Sequence, residues 1–210
     1  MTENTHQLIV FARAPIVGQC KSRLIPLLNP QGSSDFYKKL LSHCFNQLEN
    51  LDGIDISLYV YPDADNHYLK KLAEINSVTL VEQQGKNLGE RMFNAIHDSL
   101  QHYNKTVLIG TDCPLLDASY IKKAFSEIRP GRLVLGPATD GGYVLIGANH
   151  IEPCFFENIN WGTEHVLEQS IMNIVDANYE YSLLDVLWDI DTPDDFINYK
   201  QTLQALSIID

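Results

Sequence analysis

The segment Lys105–Leu116, KTVLIGTDCPLL, carries the most informative pattern in the chain. Its apolar run, Val107–Ile109, is typical of a short strand that is buried on both faces of a parallel sheet. Gly110 allows the backbone to turn and Pro114 cannot continue a strand ladder, so Asp112 lies at the carboxyl end of the strand. In open α/β sheets, ligands bind outside the carboxyl ends of the strands. The pattern therefore predicts an α/β sheet with a candidate functional carboxylate at Asp112.

Asp112 has two interpretations. A carboxylate that follows a buried strand is a natural ligand for a hard cation, and such a cation usually serves phosphates. The alternative is that Asp112 caps the next helix. Asp117, however, directly precedes the helical sequence ASYIKKAFSEI and is the better-placed N-cap. We therefore interpret Asp112 as a functional residue.

Strand-like and helical segments alternate along the chain, which favours helices on both faces of a mainly parallel sheet in one domain over residues 1–210. The predicted strands are Leu8–Phe11, Ile54–Val60, Val78–Val81, Val107–Ile109, Leu133–Pro137, Tyr143–Gly147 and Leu184–Ile190. The predicted helices are Asp35–Leu51, His67–Ile75, Leu88–His102, Ala118–Ile128, Glu164–Ile174 and one from Pro193. Only ATDGG separates the fifth and sixth strands, which is too short for a crossover helix, so one strand should be reversed in a mixed sheet.

Composition limits the possible partners. The 210 residues carry a formal net charge of −12, which argues against a nucleic-acid surface but leaves room for a local phosphate site. The four cysteines are spaced too widely for a zinc ribbon. No apolar run approaches the roughly 20 residues of a membrane span. We expect a cytoplasmic protein that binds neither nucleic acid nor membranes.

The first loop, Ala12–Pro26, follows the first strand and concentrates the cations Arg13, Lys21 and Arg23. Arginine forks and lysine ammonium groups both bind phosphoryl oxygens, and Gly18 lets the backbone approach a ligand. The loop is neither a Walker A motif nor a GxGxxG motif. It is interpreted as a phosphate-binding loop, and the alternative is a solvated basic surface.

A second candidate region is QGKNLGERM, residues 84–92. Gly85 and Gly89 bracket the start of a helix, whose first N–H groups favour an anion. Arg91 in the first turn opposes the helix dipole, which suggests a role toward a ligand. A surface arginine on a capped helix is an equally good interpretation.

The third region, GPATDGGYVLIG, places Asp140 and Tyr143 at strand ends around Gly141 and Gly142. Bare glycine backbone admits a sugar or phosphate closely, although paired glycines also make an ordinary hairpin turn. Trp161 stands in a polar loop and offers an apolar face and an N–H donor to a sugar ring. These residues are therefore predicted to line the sugar or acceptor side.

The fourth region is WDIDTPDD, residues 188–195. Thr192, Pro193 and Asp195 match the N-cap, N1 and N3 positions of a helix start. Capping leaves Asp189 and Asp191 unexplained, and on an extended segment they would point to the same side. Both are candidates to join Asp112 around a divalent ion, Mg²⁺ or Mn²⁺.

Together these segments resemble the GT-A nucleotide-diphospho-sugar transferase superfamily. They look closest to a small bacterial subfamily named as glycosyltransferases, some of them for arsenosugar biosynthesis. The resemblance runs from Phe11 to about Tyr199 and rests on FARAPIVGQCKSRL, QGKNLGERM, GTDCPLL, GPATDGGYVLIG, the tryptophan of NINWGTEHVL, and DIDTPDD. It implies a Rossmann-like three-layer α/β/α fold with a mixed sheet and with the nucleotide over the first loop.

The resemblance also implies roles for individual residues. The acid of GTDCP, Asp112, matches a metal-binding aspartate, although the superfamily's usual motif has two aspartates and this chain has only the second. Asp189 and Asp191 match positions near the metal and the diphosphate. Lys21 and Arg23 match the KSRL pattern of related guanylyltransferases that act on phospholactate. The implied nucleotide contacts are Ala12, Arg13, Gly18, Lys21, Arg23, Gly89 and Arg91.

Two reactions fit such a site. In glycosyl transfer, a nucleotide sugar loses its nucleoside diphosphate while a carboxylate deprotonates a small-molecule acceptor. Asp140 and Asp112 are the candidate catalytic residues, and Asp140 is the candidate base. In nucleotidyl transfer, a nucleoside triphosphate loses pyrophosphate to a phosphorylated small acid. Glu164 is the next carboxylate to consider as the base. Glycosyl transfer is the closer match, and a non-catalytic nucleotide-binding protein is the third alternative.

Overall fold

The computed structural model describes residues 5–205, and the predicted single domain over residues 1–210 extends past this range at both ends. The strands are β1 His6–Arg13, β2 Asp55–Tyr61, β3 Thr79–Glu82, β4 Lys105–Ile109, β5 Arg132–Pro137, β6 Tyr143–Ala148 and β7 Glu180–Leu183. The helices are α1 Ile25–Gln47, α2 His67–Ile75, α3 Leu88–Leu100, α4 Ala118–Glu127, α5 Val166–Asp176 and α6 Pro193–Ala205. Short 3₁₀ turns cover Ser22–Leu24 and Pro153–Phe156.

The strands form one mixed sheet in the order β3-β2-β1-β4-β6-β5-β7. Strand β6 is antiparallel to both β4 and β5, and the other neighbouring pairs are parallel. The short connection between β5 and β6 causes this reversal, since only a turn fits between them. The mixed, mainly parallel sheet is therefore confirmed.

Alternate residues of β1 enter two different cores, because successive side chains of a strand point to opposite faces. Leu8 and Val10 pack with α1, α2 and α4, whereas Ile9 and Phe11 pack with α3 and α5. Helices thus cover both faces, which confirms the three-layer α/β/α fold. Helix α6 lies against α1, where the rings of Phe36 and Phe196 meet edge to face with centroids 4.8 Å apart.

The first helix differs from its predicted bounds. It begins at Ile25 instead of Asp35 and ends at Gln47 instead of Leu51. The sequence predicted no helix before Asp35, but proline is tolerated in the first turn of a helix, and α1 has one there. The chain then kinks at Asn29, whose φ of 57° is not helical, directly before Pro30. The other helices and the first six strands are confirmed to within one or two residues.

The predicted strand over Leu184–Ile190 is wrong. The seventh strand is β7, Glu180–Leu183, which pairs with β5 at the edge of the sheet. Its sequence EYSL is mostly exposed, so it lacks the alternating apolar pattern of a half-buried strand. Leu184 and Ile190 are buried, but in an irregular segment that crosses the carboxyl edge of the sheet.

In the part of the chain described, no helix is both long and apolar enough to cross a membrane. All four cysteines are free thiols, and Cys154 is the exposed one. Asp117 caps α4, since its side chain accepts a hydrogen bond of 2.8 Å from the backbone N–H of Tyr120. This finding confirms the capping role that the sequence assigned to Asp117 in place of Asp112.

Candidate functional site

The carboxyl ends of β1 and β4 open onto a cleft of about 240 Å³, which we call the basic cleft. Its lining residues include Arg13, Lys21, Arg23, Asp112 and Asp191. Neighbouring parallel strands end at the same edge of a sheet, so the loop after β1 meets the acid after β4. The structure thus brings together the three cations of the first loop and two of the three predicted metal ligands.

Lys21 lies at the centre of the basic cleft. Its side chain is only 4% exposed, and its Nζ lies 2.9 Å from Asp112 Oδ2 and 3.5 Å from Asp191 Oδ1. Burial alone would lower the pKa of the Lys21 ammonium, but the carboxylates of Asp112 and Asp191 outweigh burial and raise this pKa. Lys21 is therefore a buried, charged ammonium that joins the two acids.

The backbone of Lys21 is left-handed, with φ 46° and ψ 46°. A lysine seldom adopts this conformation, and strained backbone of this kind clusters at functional sites. Two serines of α1 hold the loop in place. The Ser33 hydroxyl donates to the carbonyl of Lys21, and the Ser34 hydroxyl donates to the carbonyl of Pro15 at 2.8 Å. The loop conformation is thus fixed by a helix that follows it in sequence.

Tyr37 was missed by the sequence analysis. Its hydroxyl accepts a 2.9 Å hydrogen bond from the backbone N–H of Arg13 and lies 3.2 Å from Thr111 Oγ1. It therefore ties the end of β1 to the end of β4 at the floor of the basic cleft. Burial raises the pKa of Tyr37 well above its ordinary value, so the hydroxyl stays neutral. A tyrosine on a helix carries no sequence signal for this role, because its partners are 24 and 74 residues away.

Asp191 is positioned by backbone contacts and by a helix cap. The N–H of Ile190 donates to the carbonyl of Asp112 at 2.9 Å, which places the two acids side by side. The Asp195 carboxylate accepts from the N–H groups of Asp191 and Thr192, and the Thr192 hydroxyl lies 3.3 Å from the N–H of Asp195. This arrangement confirms the predicted helix cap and leaves the side chain of Asp191 to Lys21 and to Arg23, whose Nη1 lies 2.6 Å from Asp191 Oδ2.

The carboxylates of the basic cleft fit a divalent ion only in the company of a substrate. Asp112 Oδ1 is buried and lacks a hydrogen-bond partner among the described residues, as an acceptor awaiting an ion or a water would. Within residues 5–205, however, no group of three or more His, Cys, Asp or Glu side chains is arranged to hold a metal ion. Mg²⁺ is commonly bound by one or two carboxylates plus substrate phosphates. Asp112 and Asp191 form a donor set of this kind.

A second cleft, of about 170 Å³, lies beside β6. We call it the tryptophan cleft, and its lining includes five predicted site residues, Asp140, Gly142, Tyr143, Trp161 and Asp189. The predicted acceptor-side residues Asp140, Tyr143 and Trp161 are thus brought together. Asp189 lies here and not beside Asp191 in the basic cleft, so the two acids of DID line different clefts.

Asp189 couples the two clefts electrostatically. Burial raises the pKa of its carboxyl to about 6, with the nearby Asp140 carboxylate adding to the increase and Lys21 opposing it. One carboxyl therefore feels both the cation of the basic cleft and the exposed acid of the tryptophan cleft. The clefts are near neighbours at one edge of the sheet.

Asp140 projects from a turn that requires glycine. Its Oδ1 accepts a 2.8 Å hydrogen bond from the N–H of Gly142. Gly141 has a φ of +87°, and a Cβ there would lie 2.1 Å from the carbonyl oxygen of Glu164. Gly141 thus serves close packing, whereas Gly142 lines the cleft. The side chain of Glu164 is 80% exposed and is not among the residues that line either cleft.

Trp161 forms a wall between the tryptophan cleft and a third, larger one of about 560 Å³, which we call the outer cleft. A Cβ on Gly89 would lie 2.8 Å from Trp161 Cζ2, so the missing side chain of Gly89 lets the indole pack against α3. The ring of Tyr143 meets the indole edge to face, with centroids 6.5 Å apart. Trp161 is therefore a packed, partly buried residue, and its loop is less open than the sequence suggested.

Two backbone N–H groups at the start of α3 already have hydrogen-bond partners among neighbouring residues. Asn87 accepts from the N–H of Glu90, and the Glu90 carboxylate accepts from the N–H of Lys86. This reciprocal cap occupies groups that an anion would use. Gly89 lies in the outer cleft beneath Trp161.

Three other predicted nucleotide contacts lie outside the basic cleft lining. Ala12 is 3% exposed within β1, and its carbonyl accepts from the side chain of Gln83. Gly18 is exposed and has a φ of +79°, so its role is to turn the loop. The guanidinium carbon of Arg91 lies 4.1 Å from the ring centroid of Tyr61, and its Nε is buried without a partner among the described residues.

Solved structures resemble the fold of this chain. A protein from Desulfovibrio desulfuricans G20, described as a "putative nucleotide-diphospho-sugar transferase", is 26% identical, with a TM-score of 0.85 over 95% of this chain and 88% of that chain. The 4-diphosphocytidyl-2C-methyl-D-erythritolsynthase from Anaerococcus prevotii DSM 20548 is 11% identical, with a TM-score of 0.62 over 96% and 97% of the two chains. The inositol-1-phosphate CTP transferase from T. maritima is 16% identical, with a TM-score of 0.58 over 91% of each chain. The last two likenesses show the fold alone.

A search of curated proteins gives no significant match. A family model described as "Uncharacterized protein conserved in bacteria (DUF2064)" matches residues 35–163, which is more than half of the chain. The matched stretch contains Asp112 of the basic cleft and four of the five named residues of the tryptophan cleft, Asp140, Gly142, Tyr143 and Trp161. The chain therefore belongs to the DUF2064 family.

Proposed function

We propose that this protein is a nucleotide-utilising transferase that moves a sugar from a nucleoside-diphosphate sugar to a small-molecule acceptor. The observation that carries the proposal is the basic cleft, where Arg13, Lys21 and Arg23 face Asp112 and Asp191 at the carboxyl edge of the sheet. A second cleft with an exposed carboxylate, Asp140, adjoins it. The likeness to the Desulfovibrio protein, at 26% identity over nearly the whole chain, supports the same class of donor.

The charge of the basic cleft favours a diphosphate over a triphosphate. Lys21 and Arg23 already pair with Asp112 and Asp191, so three cations meet two carboxylates and little positive charge is left over. A departing pyrophosphate from a nucleoside triphosphate would need more positive charge than a nucleoside diphosphate. Nucleotidyl transfer nevertheless remains the second candidate. The same cleft would receive a triphosphate, and the protein shares its fold with a CTP transferase.

The residues of the chain divide the chemistry between the two clefts. Arg13, Lys21 and Arg23 bind and orient the diphosphate and stabilise the negative charge that develops on it as it leaves. Asp140 accepts the proton of the acceptor hydroxyl as the new bond to the sugar forms. When bound, Mg²⁺ or Mn²⁺ held by Asp112 with Asp191, and with Asp189 nearby, would add positive charge at the diphosphate.

The choice between the two chemistries can be tested directly. Incubated with Mn²⁺ and a mixture of sugar nucleotides, the protein should slowly release nucleoside diphosphate by transfer to water, and with nucleoside triphosphates it should release little pyrophosphate. The rate should be low, because water is poorly positioned in place of the true acceptor. Pyrophosphate release that exceeds sugar-nucleotide cleavage, above all with a phosphorylated hydroxy acid present, would favour nucleotidyl transfer. Failure to bind any nucleotide would refute both.

The predicted ion can be tested by binding. Asp112→Asn should weaken the uptake of Mn²⁺ in the presence of a nucleoside diphosphate by about tenfold or more, equivalent to about 1.4 kcal/mol, because one of the anionic ligands is lost. Isothermal titration calorimetry measures this change. Asp117→Asn is the matched control, since asparagine also caps helices and Asp117 lies outside the clefts. Equal uptake by both variants would remove Asp112 from the ion site.

A further inference from the structure

The tryptophan cleft and the outer cleft differ from the basic cleft in charge, and this difference bears on the acceptor. We infer that the acceptor is an uncharged or cationic hydroxyl compound with an apolar portion, and not a phosphorylated or carboxylated one. The inference rests on the proposed function, because it takes the space beside Asp140 as the acceptor side. It deepens that proposal by naming the chemical class that these two clefts would admit.

The linings of the two clefts carry acids without cations. Asp140 and Asp189 line the tryptophan cleft, and Glu90 and Glu157 line the outer cleft. Among the described residues that line these two clefts there is no lysine or arginine, whereas the basic cleft has three. The cationic and acidic linings are therefore segregated at one edge of the sheet.

The segregation has energetic consequences for an acceptor. Two like unit charges about 4 Å apart repel by roughly 4 kcal/mol at an effective dielectric of 20. A phosphate or carboxylate placed beside Asp140 or Glu157 would meet this repulsion without a compensating cation. A neutral hydroxyl group would instead donate a hydrogen bond to the same carboxylates, and an ammonium group would pair with them.

The apolar part of the inference rests on the aromatic lining of the outer cleft. Phe93, Phe156 and Trp161 line it together with the polar residue Asn158. Aromatic faces beside a few polar groups suit a ligand that is partly apolar and carries hydroxyl groups. Trp161 belongs to both linings, so a ligand in either cleft contacts its indole.

Trp161 also supplies a readout that needs no turnover. The chain has two tryptophans, Trp161 and Trp188, so the Trp188→Phe variant reports on Trp161 alone. Its fluorescence should change on titration with phenyl β-glucoside, which is neutral and has an apolar ring, with a dissociation constant in the millimolar range or below. Glucose 6-phosphate should bind at least tenfold more weakly than phenyl β-glucoside.

The outcomes are decisive in both directions. Glucose 6-phosphate binding as tightly as phenyl β-glucoside would overturn the inference, and so would the absence of any response to phenyl β-glucoside. Nucleoside diphosphate binding to the unaltered protein, measured by calorimetry in parallel, reports separately on the proposed function. If calorimetry detects no binding of nucleoside diphosphate, the nucleotide site is refuted, and the probe titrations can still be interpreted.

A second variant tests whether the indole itself is the contact. Gly89→Ala should displace the indole, because the new Cβ would lie 2.8 Å from Trp161 Cζ2. Binding of phenyl β-glucoside to this variant should then weaken at least tenfold. Gly32→Ala, on α1 and away from the three clefts, is the matched control. Equal probe binding by both glycine variants would contradict the assignment of Trp161.

Discussion

Alanine at both Lys21 and Arg23 should weaken the binding of a nucleoside diphosphate by about 100-fold or more. Each charge-assisted hydrogen bond to a phosphate contributes roughly 1.5–3 kcal/mol, so the loss of two exceeds about 3 kcal/mol. The corresponding nucleoside, which has no phosphate, should bind with nearly unchanged affinity. Calorimetry with the diphosphate and the nucleoside measures the difference.

The double variant needs two controls. Lys123→Ala with Arg132→Ala removes the same charges from ion pairs outside the clefts and should leave both affinities unchanged. Arg23→Ala alone addresses folding, because Arg23 is 63% exposed whereas Lys21 neutralises two acids from a buried position. If the diphosphate and the nucleoside weaken equally, or neither weakens, the loop does not bind phosphate.

The fold class was predictable because two local signals agreed. Apolar runs such as Val107–Ile109 indicated strands buried on both faces, and helical periods separated most of them. The length of ATDGG determined the reversal of β6, since a five-residue connection excludes a crossover. Neither signal depends on contacts between distant residues.

The candidate site was predictable where simple structural roles could be excluded. Asp117, Thr192 and Asp195 have capping roles in the structure, which leaves Asp112 and Asp191 with contacts that secondary structure does not require. The ion pairs of Lys21 with these two acids link residues 91 and 170 positions apart in the chain. Sequence could suggest such a meeting only through the rule that ligands lie at the carboxyl ends of strands.

Other features depended on tertiary packing and were not predictable. Tyr37 joins two strand ends through Arg13 and Thr111, and nothing in the sequence of α1 indicates these contacts. Arg91 lies unfavourably in the first turn of α3, but its guanidinium stacks on the ring of Tyr61 at the end of β2. The split of Asp189 and Asp191 between two clefts reflects the irregular path of a segment that the sequence analysis took to be extended. In each case a long-range contact overrode a local expectation.

Asp140→Asn should lower sugar transfer by about 100-fold or more and leave nucleoside diphosphate binding unchanged. A positioned general base contributes roughly 10²–10⁴-fold, and an amide cannot accept the proton of the acceptor hydroxyl. Asparagine retains the oxygen that accepts from the N–H of Gly142, so the turn should be preserved. The measurement is the rate of nucleoside diphosphate release from a sugar nucleotide, with water or an added hydroxyl compound as acceptor.

Two further carboxylate variants make this result interpretable. Asp185→Asn is the matched control, because Asp185 pairs with Lys123 on the surface and lines none of the three clefts. Glu164→Gln tests the carboxylate of Glu164, a residue whose backbone packs against Gly141. Full turnover by Asp140→Asn would show that Asp140 is not the base, and a selective loss in Glu164→Gln would transfer the role to Glu164. Unchanged affinity for the diphosphate in all three variants would confine the effect to the acceptor side.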